Sequence, residues 1–289
     1  MPNLRELLKD ILPDGAKKKL VASYDIIGHI AIIKIPDELI LHQKAIAEAL
    51  MSQHKRVKTV VRKLPVQGTF RTRQAELVAG EPNLETTYRE NGYNIKLDIE
   101  KVFFSPRMGT ERMRVASQIK NNENVLVMFA GTGVYAIAIA KEAKKKGFRS
   151  NIVGIELNPD AVKYFEENIK LNKIDKLKEN GIEVAAIEGD VKEVAKDYAG
   201  FADRIAMPLP MSADDFLGCA FACARDGCVV HYYKFAKKEE LEAFKALLAK
   251  TAAEHDAKTE MLFEKNIKSY ARDVNEYAID FRISKKQRL

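Results

Sequence analysis

From about residue 101 the chain repeats one pattern: a short apolar run, then a segment of helical periodicity, then another apolar run. The runs are NVLVMFAG (124–131), NIVGIEL (151–157), GIEVAAIEGD (181–190), ADRIAMPLP (202–210) and CVVHYYKFA (228–236). Between them lie residues 134–146, NPDAVKYFEENIKLNKI (158–174), VKEVAKDYAG (191–200) and SADDFLGCAFACARDG (212–227), which read as helices. Asn158 and Pro159 stand where an N-cap and a first-turn proline belong, and Gly227 is expected to close its helix. Strands alternating with helices predict βαβ units and a mostly parallel, doubly wound sheet. After the long helical segment 237–257 come two strands, EMLFEKNIKSYA (260–271) and NEYAIDFRIS (275–284), with no helix between them. The last is therefore expected to insert antiparallel.

The first ~100 residues follow a different pattern. YDIIGHIAIIKIP (24–36) and VKTVVRKLPVQGTF (57–70) are strand-like, with the helical LHQKAIAEALMSQH (41–54) between them. FRTRQAELVAG and TYRENGYNIKLDIEKVFF add β-rich pieces with turns at Gly80 and Gly92. The expected organisation is a small α+β domain over 1–100 and a Rossmann-like α/β domain over 101–289. No internal repeat or low-complexity segment interrupts it.

Of the 289 residues 46% are hydrophobic, enough for real cores, yet no run approaches the ~18 apolar residues of a membrane span. MPNLRELLKDILPDG reads as an amphipathic helix and has no secretory h-region. The three cysteines (Cys219, Cys223, Cys228) share one stretch and form no disulfide framework, so a cytoplasmic protein is expected. They lack the histidine spacing of a zinc site and read as small buried residues. The net charge of +7 permits a polyanionic partner such as RNA. HKRVKTVVRK (54–63) and FRTR (70–73) are basic with β spacing, suited to phosphates or to a solvated strand face. In HYYKF, Tyr232 and Tyr233 are expected on opposite sheet faces with only one buried, and Lys234 solvated.

MFAGTGVY departs from a dinucleotide fingerprint, because Ala136 replaces the third glycine and no Walker lysine follows. Gly131 and Gly133 allow close approach of the backbone to a ligand. Glu156, at the next strand end, can accept hydrogen bonds from ribose hydroxyls. Asp190, ending the third strand, can face an adenine amine or cap the helix starting at Val191. An acidic ribose clamp without a phosphate device suits a nucleoside ligand, of which S-adenosylmethionine is the leading one. In VFFSPRMGTERMRV (102–115), Thr110 is expected to begin a helix with Glu111 in its first turn.

SYDIIGHIAIIKIP, RENGYNIKLDIEKVFFSPRMGTERMRV, MFAGTGVY, GIELNP, EGDV and IKSYA together resemble the archaeal and eukaryotic tRNA (guanine-N1)-methyltransferase family, which modifies guanosine 37 beside the anticodon. The resemblance runs from about Ser23 to Ile283. It implies a class I methyltransferase fold, S-adenosyl-L-methionine as cofactor and tRNA as substrate. It makes Glu111 the general base that removes the guanine N1 proton, and Arg107 the cation facing O6 or holding cofactor or RNA. It places Phe104, Phe129, Gly131, Gly133, Glu156, Leu157, Asp190, Val191, Pro208 and Leu209 at the cofactor, and Arg71, Arg73 and Arg89 on the RNA side. No membrane association or protein partner is implied, and a monomer is the expected state.

Three departures qualify the resemblance. Val127 stands where the family usually has an acidic residue. Pro208 replaces the asparagine of a family MNLP element. The additional N-terminal domain that checks the tRNA elbow is expected to be missing, which would leave the first domain to dock RNA. The wybutosine-pathway relatives, which transfer the cofactor's aminocarboxypropyl group, also lack that domain. Their fourth strand is MG-like, so the LP here favours methyl transfer. A non-catalytic RNA-binding relative is the third reading.

Overall fold

In the computed structural model, which describes residues 4–67 and 72–285, the chain divides into two compact units, Met1–Gly109 and Thr110–Leu289. In the first unit, α1 (Leu4–Leu7) and α2 (Asp14–Lys19) precede β1 (Tyr24–Ile27) and β2 (Ile30–Ile33), an antiparallel hairpin. β2 pairs in parallel with β3 (Thr59–Gln67), so the chain between them must cross over, and α3 (Gln43–Gln53) makes that crossover. β4 (Thr72–Gly80) completes a four-stranded sheet in the order β1-β2-β3-β4. Its core joins Ile33, Val60, Ile46 and Leu50 to Leu4, Leu8 and Leu12. The amphipathic spacing of the N-terminus thus buries one face, although regular helix is confined to one turn. β5 (Glu85–Glu90) and β6 (Tyr93–Asp98) form a separate hairpin. Asn91 and Gly92, both at positive φ, make its turn, as an Asn-Gly pair is suited to do.

The second unit is built on a seven-stranded sheet. Its elements are α4 (Gly109–Ser117), β7 (Glu123–Met128), α5 (Val134–Lys146), β8 (Ser150–Glu156), α6 (Pro159–Leu171), β9 (Ile182–Glu188), α7 (Val191–Val194), β10 (Ala202–Met207), α8 (Leu217–Cys223), β11 (Ala224–Ala236), α9 (Glu240–Glu254), β12 (Ala257–Ala271) and β13 (Val274–Lys285). The strand order is β12-β13-β11-β10-β7-β8-β9. β7 through β11 are mutually parallel, and β13 lies antiparallel between β11 and β12, as expected from the missing helix. The order reverses between β7 and β10, and open α/β sheets bind ligands outside the carboxyl ends of the strands at such a switch point. Among the described residues no helix is long and apolar enough to cross a membrane.

Two local expectations are corrected. α8 stops at Cys223 rather than at Gly227, because Ala224 already pairs with Ala202 and begins β11. Gly227 lies within that strand at φ +79°. Tyr232 and Tyr233 are both buried and Lys234 is ion-paired with Asp214. Alternation still sends the tyrosines to opposite faces, but helices cover both faces of a largely parallel sheet, so neither face is solvent.

Candidate active site

β7 ends in a loop whose backbone is turned three times. Phe129, Gly131 and Gly133 all have positive φ, at 60°, 56° and 82°. For a non-glycine residue such as Phe129 this conformation is costly and is characteristic of ligand sites. Gly133 has no alternative residue: a Cβ there would lie 1.9 Å from the Phe165 ring, which packs under the loop from α6. The Phe129 ring meets Phe216 edge-on at 4.7 Å.

Glu156 closes the loop from the neighbouring strand. One carboxylate oxygen accepts from the Gly131 N–H at 2.8 Å and the other from the Asn158 N–H at 2.9 Å. Burial pushes its pKa above the usual carboxylate value, against the lowering effect of these backbone hydrogen bonds. Asn158 in turn caps α6 by accepting from the Asp160 N–H. Leu157 beside it is exposed. Asp190 accepts from the Lys192 N–H at 2.8 Å, so it caps α7, with Val191 buried behind it. Its side chain is nonetheless exposed at the strand end. After β10 the Leu209 N–H donates to the Met207 carbonyl at 2.8 Å, a tight turn about Pro208, whose fixed φ suits it.

Among the described residues, Thr132 Oγ1 within this loop is a buried hydroxyl without a hydrogen-bond partner. Buried polar atoms are normally satisfied, so this loop is where a polar ligand would complete the structure.

Glu111 lies in the first turn of α4, which begins one residue before Thr110, and is buried. Its Oε2 accepts from Arg114 Nε at 2.8 Å and from the Tyr233 hydroxyl at 3.2 Å. The Tyr233 ring lies 6.3 Å from that of Tyr135, which links Glu111 to the helix that leaves the glycine loop. Burial, together with the neighbouring Tyr135 and Glu111, raises the Tyr233 pKa well above its ordinary value, so the hydroxyl stays a donor.

Arg114 continues the chain of charges by a two-pronged contact with Asp280 of β13, at 2.5 and 3.0 Å. Asp280 Oδ1 lies 2.9 Å from His231 Nδ1 on β11, its partner in the strand register. His231 Nε2 lies 2.7 Å from Arg204 Nη1 on β10, and Arg204 holds Glu123 through two bonds of 2.8 and 2.9 Å. Arginine only donates, so His231 Nε2 accepts and the ring proton sits on Nδ1, facing Asp280. Burial alone would raise the Asp280 pKa, but the contacts to His231 and Arg114 hold it well below the carboxylate range. Burial lowers the His231 pKa and keeps the ring neutral.

The motif-based reading of the sequence missed this network. Its signal was a charged or polar residue set among apolar ones in each strand: Arg204 in ADRIAM, His231 in CVVHYYKFA and Asp280 in NEYAIDFRIS. In a sheet covered on both faces, such residues must find partners.

Of the remaining expected site residues, Phe104 and Arg107 belong to the first unit. Phe104 is buried against Tyr88, with ring centroids 5.2 Å apart, and Arg107 Nε donates to Asp25 at 2.7 Å. Arg89 is exposed on β5. Arg71 and the side chain of Arg73 lie outside the described residues. Cys223 and Cys228 are buried, Cys219 is half-buried, and burial pushes the Cys223 thiol up to about 12.

Comparison with known proteins gives this arrangement its context. The family described as the TRM5/TYW2 methyltransferase domain matches residues 86–262, and that described as the TYW2 N-terminal domain matches residues 4–83. The tRNA (guanine(37)-N(1))-methyltransferase Trm5b of Pyrococcus abyssi is 42% identical over 279 residues, covering 94% of this chain and 78% of that protein. The tRNA(Phe) (4-demethylwyosine(37)-C(7)) aminocarboxypropyltransferase of Pyrococcus horikoshii is 33% identical, covering 98% and 97%. Among solved structures, the complex of aTrm5 and tRNALeu superposes with a TM-score of 0.82 at 34% identity, covering 97% of this chain and 78% of that one. Methanocaldococcus jannaschii TYW2 in complex with AdoMet does so at 0.67 and 25%, covering 91% and 100%. The chain belongs to the TRM5/TYW2 methyltransferase family.

Proposed function

We propose that this chain transfers a methyl group from S-adenosylmethionine to N1 of guanosine 37 in tRNA. The observation that carries the reading is Glu111, a buried carboxylate held by Arg114 and Tyr233 beside the helix that leaves the glycine loop. Similarity to guanine-37 methyltransferases supports the substrate, and the AdoMet-bound relative supports the cofactor. The residues present fit that cofactor. Glu156 has lone pairs left for ribose hydroxyls after meeting two backbone amides, and the orphaned Thr132 hydroxyl offers a polar contact. Phe129, Gly131, Gly133, Leu157, Asp190, Val191, Pro208 and Leu209 complete the proposed cofactor site, and Phe104 and Arg107 are assigned by the family motif.

When bound, the cofactor supplies an electrophilic methyl on a positively charged sulfur. Glu111 takes the N1 proton, and the nitrogen electron pair so released forms the new N–CH3 bond. The cofactor's sulfur would leave as a neutral thioether, keeping the C–S electron pair. Negative charge developing on O6 calls for a cation, the role proposed for Arg107. Arg71, Arg73 and Arg89 are proposed tRNA contacts, with residues 1–100 as the docking domain.

Glu111→Ala should lower turnover about 10²–10⁴-fold, the usual worth of a positioned base. Cofactor affinity, read by calorimetry, should stay within about twofold, because Glu111 is not proposed to hold the cofactor. Normal turnover would remove Glu111 as the base.

The match of residues 4–83 to the TYW2 N-terminal domain favours a second reading, aminocarboxypropyl transfer to a tricyclic base. Cofactor labelled separately in methyl and carboxyl, offered with unmodified and tricyclic-base tRNA, separates the two. Methyl label in N1-methylguanosine supports the proposal, and carboxyl label in the RNA overturns it.

A further inference from the structure

We infer that Arg114 is a positioning residue for Glu111, and that Asp280, seated by His231 and Arg204, fixes Arg114 in that role. The inference rests on the proposal that Glu111 is the base. Arg114 touches Glu111 through Nε and gives both outer nitrogens to Asp280. A guanidinium held at both terminal nitrogens by one carboxylate has little freedom to rotate, so the third N–H has a fixed direction. Its flat face lies 4.4 Å over the Phe263 ring, which restricts it further. Asp280 in turn lies 2.9 Å from His231 Nδ1 and is held by the strand pairing of β13 between β11 and β12. Glu111 is thereby referenced to the rigid sheet rather than to the first turn of a nine-residue helix.

The pairing within the network agrees with this role. The network holds three carboxylates, on Glu111, Asp280 and Glu123, against two guanidiniums, on Arg114 and Arg204, and His231 is neutral. Arg112 and Glu276 are also buried, and Glu276 is ion-paired with Lys268 at 4.0 Å. Asp280 and Glu123 are each engaged by arginine through both oxygens, whereas Glu111 meets Arg114 through Oε2.

The test uses Arg114→Lys, Asp280→Asn and Glu111→Gln, singly and combined, with single-turnover rates, cofactor affinity and crystal structures of wild type and Asp280→Asn. Asp280→Asn should slow methyl transfer at least tenfold, with cofactor affinity within twofold. Adding it to Glu111→Gln should cost less than twofold more, since both act through one carboxylate. In the crystal structures Glu111 Oε2 should sit on Arg114 Nε and Tyr233 in wild type and leave that position in the variant. Equal losses in the presence and absence of Glu111, or an unmoved Glu111 with an unchanged rate, would overturn the inference. Should Asp280→Asn not fold, Arg114→Lys, partly exposed and of like charge, is read by the same rate comparison and crystal structure. A wild type that transfers nothing would sink the proposed function, while the displacement of Glu111 would still decide the positioning role.

Discussion

Each oxygen of Glu156 holds a backbone N–H, one from the glycine loop and one from the start of α6, and the same carboxylate is proposed to meet the ribose. Binding and loop geometry are therefore coupled at one residue. Glu156→Gln replaces one acceptor by an amide donor facing N–H groups, so it both loosens the loop and weakens the ribose contact. Cofactor affinity should fall roughly tenfold or more, about 1.4 kcal/mol and in the range of a lost hydrogen bond to a charged group. Isothermal calorimetry reads it. An unchanged affinity would separate Glu156 from the ligand and leave it a structural clamp. Gly131, Gly133 and Glu156 could be picked out from the sequence because GxG followed by an acidic strand end is a local pattern. Thr132 could not, since an orphaned hydroxyl is defined by what surrounds it.

At the scale of elements, the glycine loop depends on how α6 packs on β8. Gly154 lies in the middle of β8, where a Cβ would come within 2.4 Å of the Phe165 ring and 2.9 Å of Ala130 Cβ. The same ring fills the space under Gly133. One phenylalanine thus sets both the separation of helix and sheet and the height of the loop. Gly154→Ala should destabilise the protein by about 1–3 kcal/mol through overpacking. Gly154→Ala with Phe165→Leu should recover part of that loss, measured by urea unfolding. An additive loss in the double variant would show that the ring is not what the strand glycine accommodates. The antiparallel insertion of β13 was readable from two strands with no helix between them. The end of α8 was not, because Ala224 leaves the helix for a tertiary pairing with Ala202.

For the second unit as a whole, the network from Glu123 to Glu111 ties β7, β10, β11, β13 and α4 together on one face of the sheet. Its neutral histidine makes stability depend on pH. The folded pKa of His231 is lowered by burial, so below the unfolded value of about 6.5 the unfolded chain binds a proton that the folded one refuses. Stability therefore falls with pH below about 6.5, with a limiting slope of roughly 1.4 kcal/mol per unit from this one group. Asp280 has the opposite standing. Its depressed pKa contributes stability that is fully present above about 4 and is lost only as pH falls further. Urea unfolding from pH 7 to pH 5 should show the first effect, and His231→Gln should flatten it. A wild-type curve already flat over that range would mean the ring takes up its proton in the folded state.

The sequence by itself determined the order of elements, the antiparallel last strand, the glycine loop and the family, because each is carried by local spacing or by a contiguous motif. It also pointed to Glu111, the proposed base, through the TER element of the family it resembles. Tertiary structure alone decided that both tyrosines of HYYKF are buried, that Phe165 occupies the space above two glycines, and that Arg114, Asp280, His231 and Arg204 stand in line behind Glu111. The members of that line come from one helix and from strands far apart in the chain. The strand register brings His231 opposite Asp280, and no spacing along the sequence encodes which strands will be neighbours.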